Sequence, residues 1–208
     1  SEPWRPLTFG VGVALLRYET HLESCNEDKP MDEFDLFEVG GYSTGKIGFG
    51  NTIGIVSVDM MNCVTDPKAP MGRSPMAQDS VNKCATLFDA ARENNIPIVH
   101  CCTAYQPDLS DMPPWKVSCI KDWIIGSWEV EIDSRLWRDG DVLVCKKTPS
   151  IFFGTHCASV MNMHGVDTVI VTGANTSGCI RATSIESFAL GYRTIVPEEC
   201  VFDQGSVA

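Results

Sequence analysis

Three short apolar runs in the chain each stop at a different reactive side chain: IGIVSVD at Asp59, DVLVCK at Lys146 and DTVIVTGANTSGC at Cys179. A carboxylate can take the proton of a thiol, an ammonium can stabilise the anions that result, and a thiolate can attack an electrophilic carbon. Together they suit a cysteine-dependent hydrolase. Runs of Val and Ile this short read as strands buried on both faces, as in a parallel sheet. Ligand sites in open parallel sheets form outside the carboxyl ends of the strands. The three side chains are therefore expected on one edge, although they lie far apart in sequence.

Cys179 carries the strongest expectation. Gly173, Gly178 and the small residues between them form a tight turn from a strand into a helix, with Cys179 near the first helical turn. Free N–H groups and the helix dipole at that place favour a thiolate and can hold a developing oxyanion. Ser177 is a competing nucleophile, but no histidine lies near it in sequence to activate it. Asp59 ends its strand either as a turn residue or as the base for the thiol. Lys146 is followed by Lys147, and strand alternation alone does not say which of the two faces the site. The four histidines, His21, His100, His156 and His164, show no HxxxH or HxH spacing, so metal binding by them is not expected, while His100 at a strand end could face a pocket. VTGANTSG lacks the GxGxxG pattern, which speaks against a dinucleotide site.

The elements that would position these residues begin at Asn51. Strands are expected at Ile53–Val58, Ile96–Thr103, Asp141–Cys145, Asp167–Thr172 and Arg193–Val196. Helices are expected at Met76–Asn94, Phe152–His164 and Gly178–Leu190. This alternation gives an α/β, helix–sheet–helix sandwich with right-handed crossovers. The stretch 104–140 is long, carries Trp115, Trp123, Trp128 and Trp137, and reads as a functional loop or lid. Residues 1–45 lack the alternation and read as an N-terminal helical arm, with a helix over Thr8–Ser24. Residues 46–208 form the α/β domain.

Composition agrees with an enzyme. The chain has 208 residues, 44% of them hydrophobic, which suffices for a full core. A net charge of −11 argues against nucleic acid or an anionic membrane as a partner. No apolar stretch is long enough to span a bilayer, FGVGVALL does not read as a leader, and a cytoplasmic location is expected. Ten cysteines without a CxxC pair, several inside apolar runs, read as free thiols and not as a disulfide framework.

With these positions in view, the chain resembles the isochorismatase-like cysteine hydrolases, and within them the N-carbamoylsarcosine amidase branch. The resemblance covers roughly residues 37–204 and rests on GKIGFGN, VDMMNCVTDP, KKTPSIFFGT and, most specifically, VIVTGANTSGCIRAT. It implies a three-layer α-β-α sandwich with a mostly parallel, roughly six-stranded sheet. It also implies an Asp59–Lys146–Cys179 triad, choosing Lys146 by its position before Ser150. A cis peptide at Ala174–Asn175 and an oxyanion site at the backbone N–H groups of Asn175 and Cys179 follow from the same source. Substrate contacts are expected at Asn62, Trp115, Phe153 and Gln204. The implied reaction is cleavage of a linear amide or ureido C–N bond of a small molecule with release of ammonia, without cofactor or metal, in a homodimer or homotetramer whose neighbouring chain helps complete the pocket. A lactam, imide or vinyl ether hydrolase, or a non-catalytic ligand binder, are the alternatives. VFDQG departs from the family's Gly-Asp-Arg segment by placing Gln204 where an arginine would grip a carboxylate, which points to a neutral substrate end. The aspartate–histidine metal motif of nicotinamidases is absent.

Overall fold

A computed structural model describes residues 36, 38–41, 45–115 and 117–204. The chain divides into two compact units, Ser1–Lys46 and Ile47–Ala208. In the first, Gly40 and Gly41 donate backbone hydrogen bonds to Leu36 and Glu38. The helix expected over Thr8–Ser24 lies outside the described residues.

The second unit is an α/β three-layer sandwich. Its strands are β1 (Ile53–Val58), β2 (Ile98–Thr103), β3 (Val142–Lys146), β4 (Thr168–Ala174), β5 (Arg193–Ile195) and β6 (Val201–Phe202). Their order is β3-β2-β1-β4-β5, with β6 pairing the end of β4, and every pairing is parallel. β1, β2 and β4 are buried almost end to end, which is why they read as runs rich in Val and Ile with no polar alternation.

The two faces alternate along each strand. Ile55, Ile98 and Cys102 pack with Val81, Cys84 and Phe88 on one side, whereas Val56, Val58, Val99 and Val144 pack with Cys157 and Met161 on the other. The first side is covered by the long helix that follows a single helical turn, α1 (Asn62–Thr65). This helix, α2 (Pro75–Glu93), has proline in its first turn and buries Ala77, Val81, Cys84, Phe88 and Ala91 at spacings of one helical face. It ends at Asn94, and Asn95 turns the chain with a left-handed φ of 56°. The second side carries α3 (Cys157–Met163) and α4 (Arg181–Ala189).

Four differences from the sequence reading have physical causes. The expected helix at Phe152 starts only at Cys157, because Ile151 and Phe152 are used as core residues of a loop. Gly154 takes a φ of 70° there, and the Thr155 hydroxyl accepts the Cys157 N–H. α4 likewise begins at Arg181, after a wide turn over Thr176–Ile180. β4 runs two residues past Thr172 because its end is paired with β6, which is too short to leave a pattern in the sequence. The stretch 104–140 holds two 3-10 turns, Ser118–Asp122 and Trp128–Val130, closes on itself through the isolated bridge Tyr105–Ile124 and is pinned to the segment after β1 by the bridge Met61–Ile132.

β1 and β4 leave no room for a side chain at Gly173, which pairs with Val58. It has a φ of 114°, and a Cβ built there would stand 2.1 Å from the Val58 carbonyl oxygen. Gly173→Ala is expected to cost about 2–4 kcal/mol, combining left-handed strain with backbone displacement. Thermal unfolding against Gly178→Ala, where no neighbour lies within 4 Å of the added carbon, checks this; equal melting temperatures would contradict it.

Candidate active site

The sheet order puts β4 beside β1 while the chain continues from β1 to β2 and β3 on the other side, so the order reverses between β1 and β4. Such a reversal opens a crevice at the carboxyl ends of the two strands. Asp59 follows β1 directly, and Cys179 follows β4 within the wide turn. Asp59 has a left-handed φ of 54°, a conformation that aspartate tolerates better than most residues, and it is almost fully buried.

Lys146 ends β3, two strands away from β1. With strands about 4.8 Å apart, its side chain has to cross β2 to reach Asp59. It does so over Thr103, its register partner. Lys146 Nζ lies 2.8 Å from Asp59 Oδ2, 2.6 Å from Thr103 Oγ1, 3.2 Å from the Thr148 carbonyl oxygen and 3.5 Å from Cys179 Sγ. Thr103 Oγ1 donates in turn to Asp59 Oδ1 at 2.9 Å. The Cys101 thiol approaches the same oxygen at 3.8 Å. Lys147, on the other face of the strand, pairs with Asp111 at 2.6 Å.

The electrostatics of this cluster differ from the expectation at Cys179. Burial, reinforced by the Asp59 carboxylate, pushes the Cys179 thiol up to about 12, and the nearby Lys146 only moderates the rise. The resting group is therefore a thiol beside a carboxylate, not the thiolate that a helix N-terminus alone would favour. Burial opposes the charge on Lys146 as well, but Asp59 and the neighbouring sulfurs outweigh it and hold the ammonium above its ordinary range.

The turn before Cys179 is organised from β6. Asp203 Oδ2 accepts the Ser177 N–H at 2.7 Å and the Thr176 hydroxyl at 3.1 Å, and its Oδ1 accepts from Asn175 Nδ2 at 3.4 Å. Burial resists its charge, yet these donors keep the Asp203 carboxyl below its ordinary value. The Asn175 carbonyl accepts the Gly178 and Ile180 N–H groups, and the bond between Ala174 and Asn175 is cis. Sequence reasoning missed Asp203 and Thr103. Thr103 closes β2, and that place was the available signal for it, whereas Asp203 follows β6, which leaves no pattern in the sequence.

A cavity of about 290 Å³ opens over the cluster, with Asp59, Thr103, Asn175 and Cys179 at its base and Trp115 and Trp123 in its wall. Trp115 is fixed by a 2.6 Å bond from its indole N–H to the Tyr105 hydroxyl. Ser177 also lines the cavity, and both its backbone N–H and its hydroxyl donate to Asp203, the carboxylate that holds the turn.

Three expected substrate contacts are not brought to this cavity. Asn62 is buried under the loop, donating to the Trp128 carbonyl at 2.9 Å. Phe153 is exposed on a separate shallow groove beside Ile185 of α4. Gln204 is exposed past Asp203, whose carboxylate takes its N–H. His100 is also elsewhere, enclosed by Phe88 and Trp137 and 3.2 Å from Asp141. Among the described residues, no group of three or more His, Cys, Asp or Glu side chains is placed to hold a metal ion.

Comparison with known proteins agrees with this arrangement of elements. Residues 54–206 match the model of the isochorismatase domain. A maleamate amidohydrolase of Pseudomonas putida is 35% identical over 165 residues, which is 77% of each chain. An N-carbamoylsarcosine amidase of an Arthrobacter species is 29% identical over 166 residues, 76% of this chain, and the match spans only 62% of that protein. The crystal structure of N-carbamoylsarcosine amidase from Thermoplasma acidophilum superposes with a TM-score of 0.65 at 24% identity, covering 76% of this chain and 87% of that one. The parallel six-stranded sandwich and the extent of the match together place this chain in the isochorismatase family.

Proposed function

We propose that the protein is a cysteine-dependent amidohydrolase that cleaves the C–N bond of a small linear amide or ureide and releases ammonia. The observation that carries this reading is the contact of one buried ammonium, Lys146, with both Asp59 and Cys179 at the base of the cavity. The names of the two curated relatives, a maleamate amidohydrolase and an N-carbamoylsarcosine amidase, support the same reaction class.

The raised thiol decides how the reaction starts. Cys179 is activated by a base at the moment of attack and is not stored as a thiolate. Asp59 takes its proton while Lys146 stabilises the sulfur anion. The sulfur attacks the amide or carbamoyl carbon, and the carbonyl oxygen collects negative charge against the backbone N–H groups of Asn175 and Cys179. The C–N bond then breaks, the nitrogen leaves as ammonia with the proton held by Asp59, and a thioester or thiocarbamate remains on Cys179. Water deprotonated by Asp59 attacks this intermediate, the C–S bond breaks, and the proton returns to sulfur. Thr103 holds Asp59 and Lys146 in register throughout.

The cavity's size suits a small molecule. Among the described lining residues Asp59 is the only ionised group, so the substrate's other end is best determined by assay. Ammonia release across small amides and ureides, each acid paired with its neutral analogue and with a lactam included, tests the reaction class and identifies that end. No ammonia from any member would overturn the proposal.

Cys179→Ala is expected to abolish turnover while leaving the melting temperature nearly unchanged. Asp59→Asn and Lys146→Ala are expected to lower kcat by about two to three orders of magnitude. Lys147→Ala should stay within a few-fold of the parent, and equal damage from the two lysine variants would assign the wrong residue. Iodoacetamide labelling provides a check that needs no substrate. With the thiol pushed up to about 12, its rate at Cys179 should still be climbing at about pH 10, and a plateau at neutral pH would show a resting thiolate.

A further inference from the structure

Two cysteines outside the catalytic cluster stand opposite one another. Cys102 of β2 and Cys145 of β3 are Cα partners in a parallel pairing, so their side chains leave the sheet on the same face. Strands about 4.8 Å apart bring directly opposed Cα atoms within the disulfide range of about 4.4–6.8 Å. Both thiols are free. β3 is an edge strand, and Cys145 lies exposed on it beside exposed Leu143. Cys102 is buried behind it.

The two thiols are chemically unequal. Hydrogen bonding with Cys102, helped by the Lys147 ammonium, holds Cys145 below the ordinary thiol range, although burial works against this. Cys102 is shifted the opposite way by the same contact and by burial. An exposed, acidic thiol backed by a buried neutral one is the usual arrangement of an attacking and a resolving cysteine. Cys84 and Cys200 also touch, with Cys84 Sγ 3.4 Å from the Cys200 carbonyl oxygen, but both are buried.

We propose that Cys102 and Cys145 form a reversible redox pair, closed by hydrogen peroxide into a disulfide across β2 and β3, and that closing it lowers turnover through Lys146. The Cys145 thiolate attacks a peroxide oxygen and the O–O bond breaks. This gives a sulfenic acid and a hydroxide, which is protonated to water. The Cys102 sulfur then attacks the Cys145 sulfur and the S–O bond breaks. The hydroxyl departs as water with the Cys102 proton. Two thiols have lost two electrons to one peroxide. Cys145 is bonded in the chain to Lys146 and Cys102 to Thr103, whose side chains make the 2.6 Å contact on the opposite face of the same strands. Tying the strands together on one face shifts that contact on the other. Bond formation is independent of the proposed activity, whereas the effect on turnover rests on it.

The test treats the full chain with equimolar hydrogen peroxide and maps peptides without reduction. A Cys102–Cys145 cross-linked peptide is expected, with turnover of an ammonia-releasing substrate reduced about tenfold and restored by dithiothreitol. Cys145→Ser should give no cross-link and keep its activity under the same treatment. Cys102→Ser should stop at a sulfenic acid that dimedone traps on Cys145. Mapping of the bond to Cys84–Cys200, or recovery of Cys145 as a free thiol, would overturn the pair. A mapped bond with unchanged turnover would overturn the link to Lys146. Absence of any turnover before oxidation would instead count against the amidohydrolase reading and leave the peptide map to decide the pair.

Discussion

A lysine ammonium with no solvent exposure needs compensation, since burying an ion without partners costs several kcal/mol even after the protein relaxes. Lys146 obtains it from one carboxylate, one hydroxyl and one carbonyl, supplied by the ends of β1 and β2 and by the segment after β3. Much of the site follows from that requirement. Asp59 has to turn back at the end of its strand, Thr103 has to face its register partner, and the chain after Lys146 has to fold over the ammonium. The same burial acts on Cys179: with the Asp59 carboxylate beside it, it raises the thiol, and Lys146 only moderates the rise.

The second constraint is the close approach of β4 to β1. Gly173 lets the backbone come against Val58, and the two strand ends then diverge into the crevice. A larger residue there would hold the turn carrying Cys179 away from Asp59. The position owes its glycine to a backbone contact, and the loop chemistry is a consequence of that contact.

The fully buried strands were legible because they are paired on both sides and packed on both faces, which favours Val and Ile at most positions of β1 and at the centre of β4. The placement of Asp59 and Cys179 on one edge followed from strand direction. The choice between Lys146 and Lys147 did not, since both sit within one residue of the strand end. The family motif singled out Lys146, and in the structure that side chain faces Asp59. Thr103 was hidden because a threonine closing a strand looks like any β-branched strand residue. Asp203 was hidden because its partners lie 26 to 28 residues earlier, in a turn whose backbone and side-chain donors no sequence pattern marks. The late start of α3 was missed for a related reason. Ile151 and Phe152 have helical spacing with the residues that follow, but tertiary burial claims them for the loop.

The clamp from Asp203 also ties the turn before Cys179 to an element of only two residues, β6. Strands with few ladder bonds open locally at lower free energy than the central sheet. Each opening of β6 releases the Ser177 N–H and the Thr176 hydroxyl together, so amide exchange in that turn should track the fraying of β6 and not the global unfolding of the domain. The order of the turn around the sulfur is therefore tied to a two-residue strand whose anchor in the core is the buried Phe202.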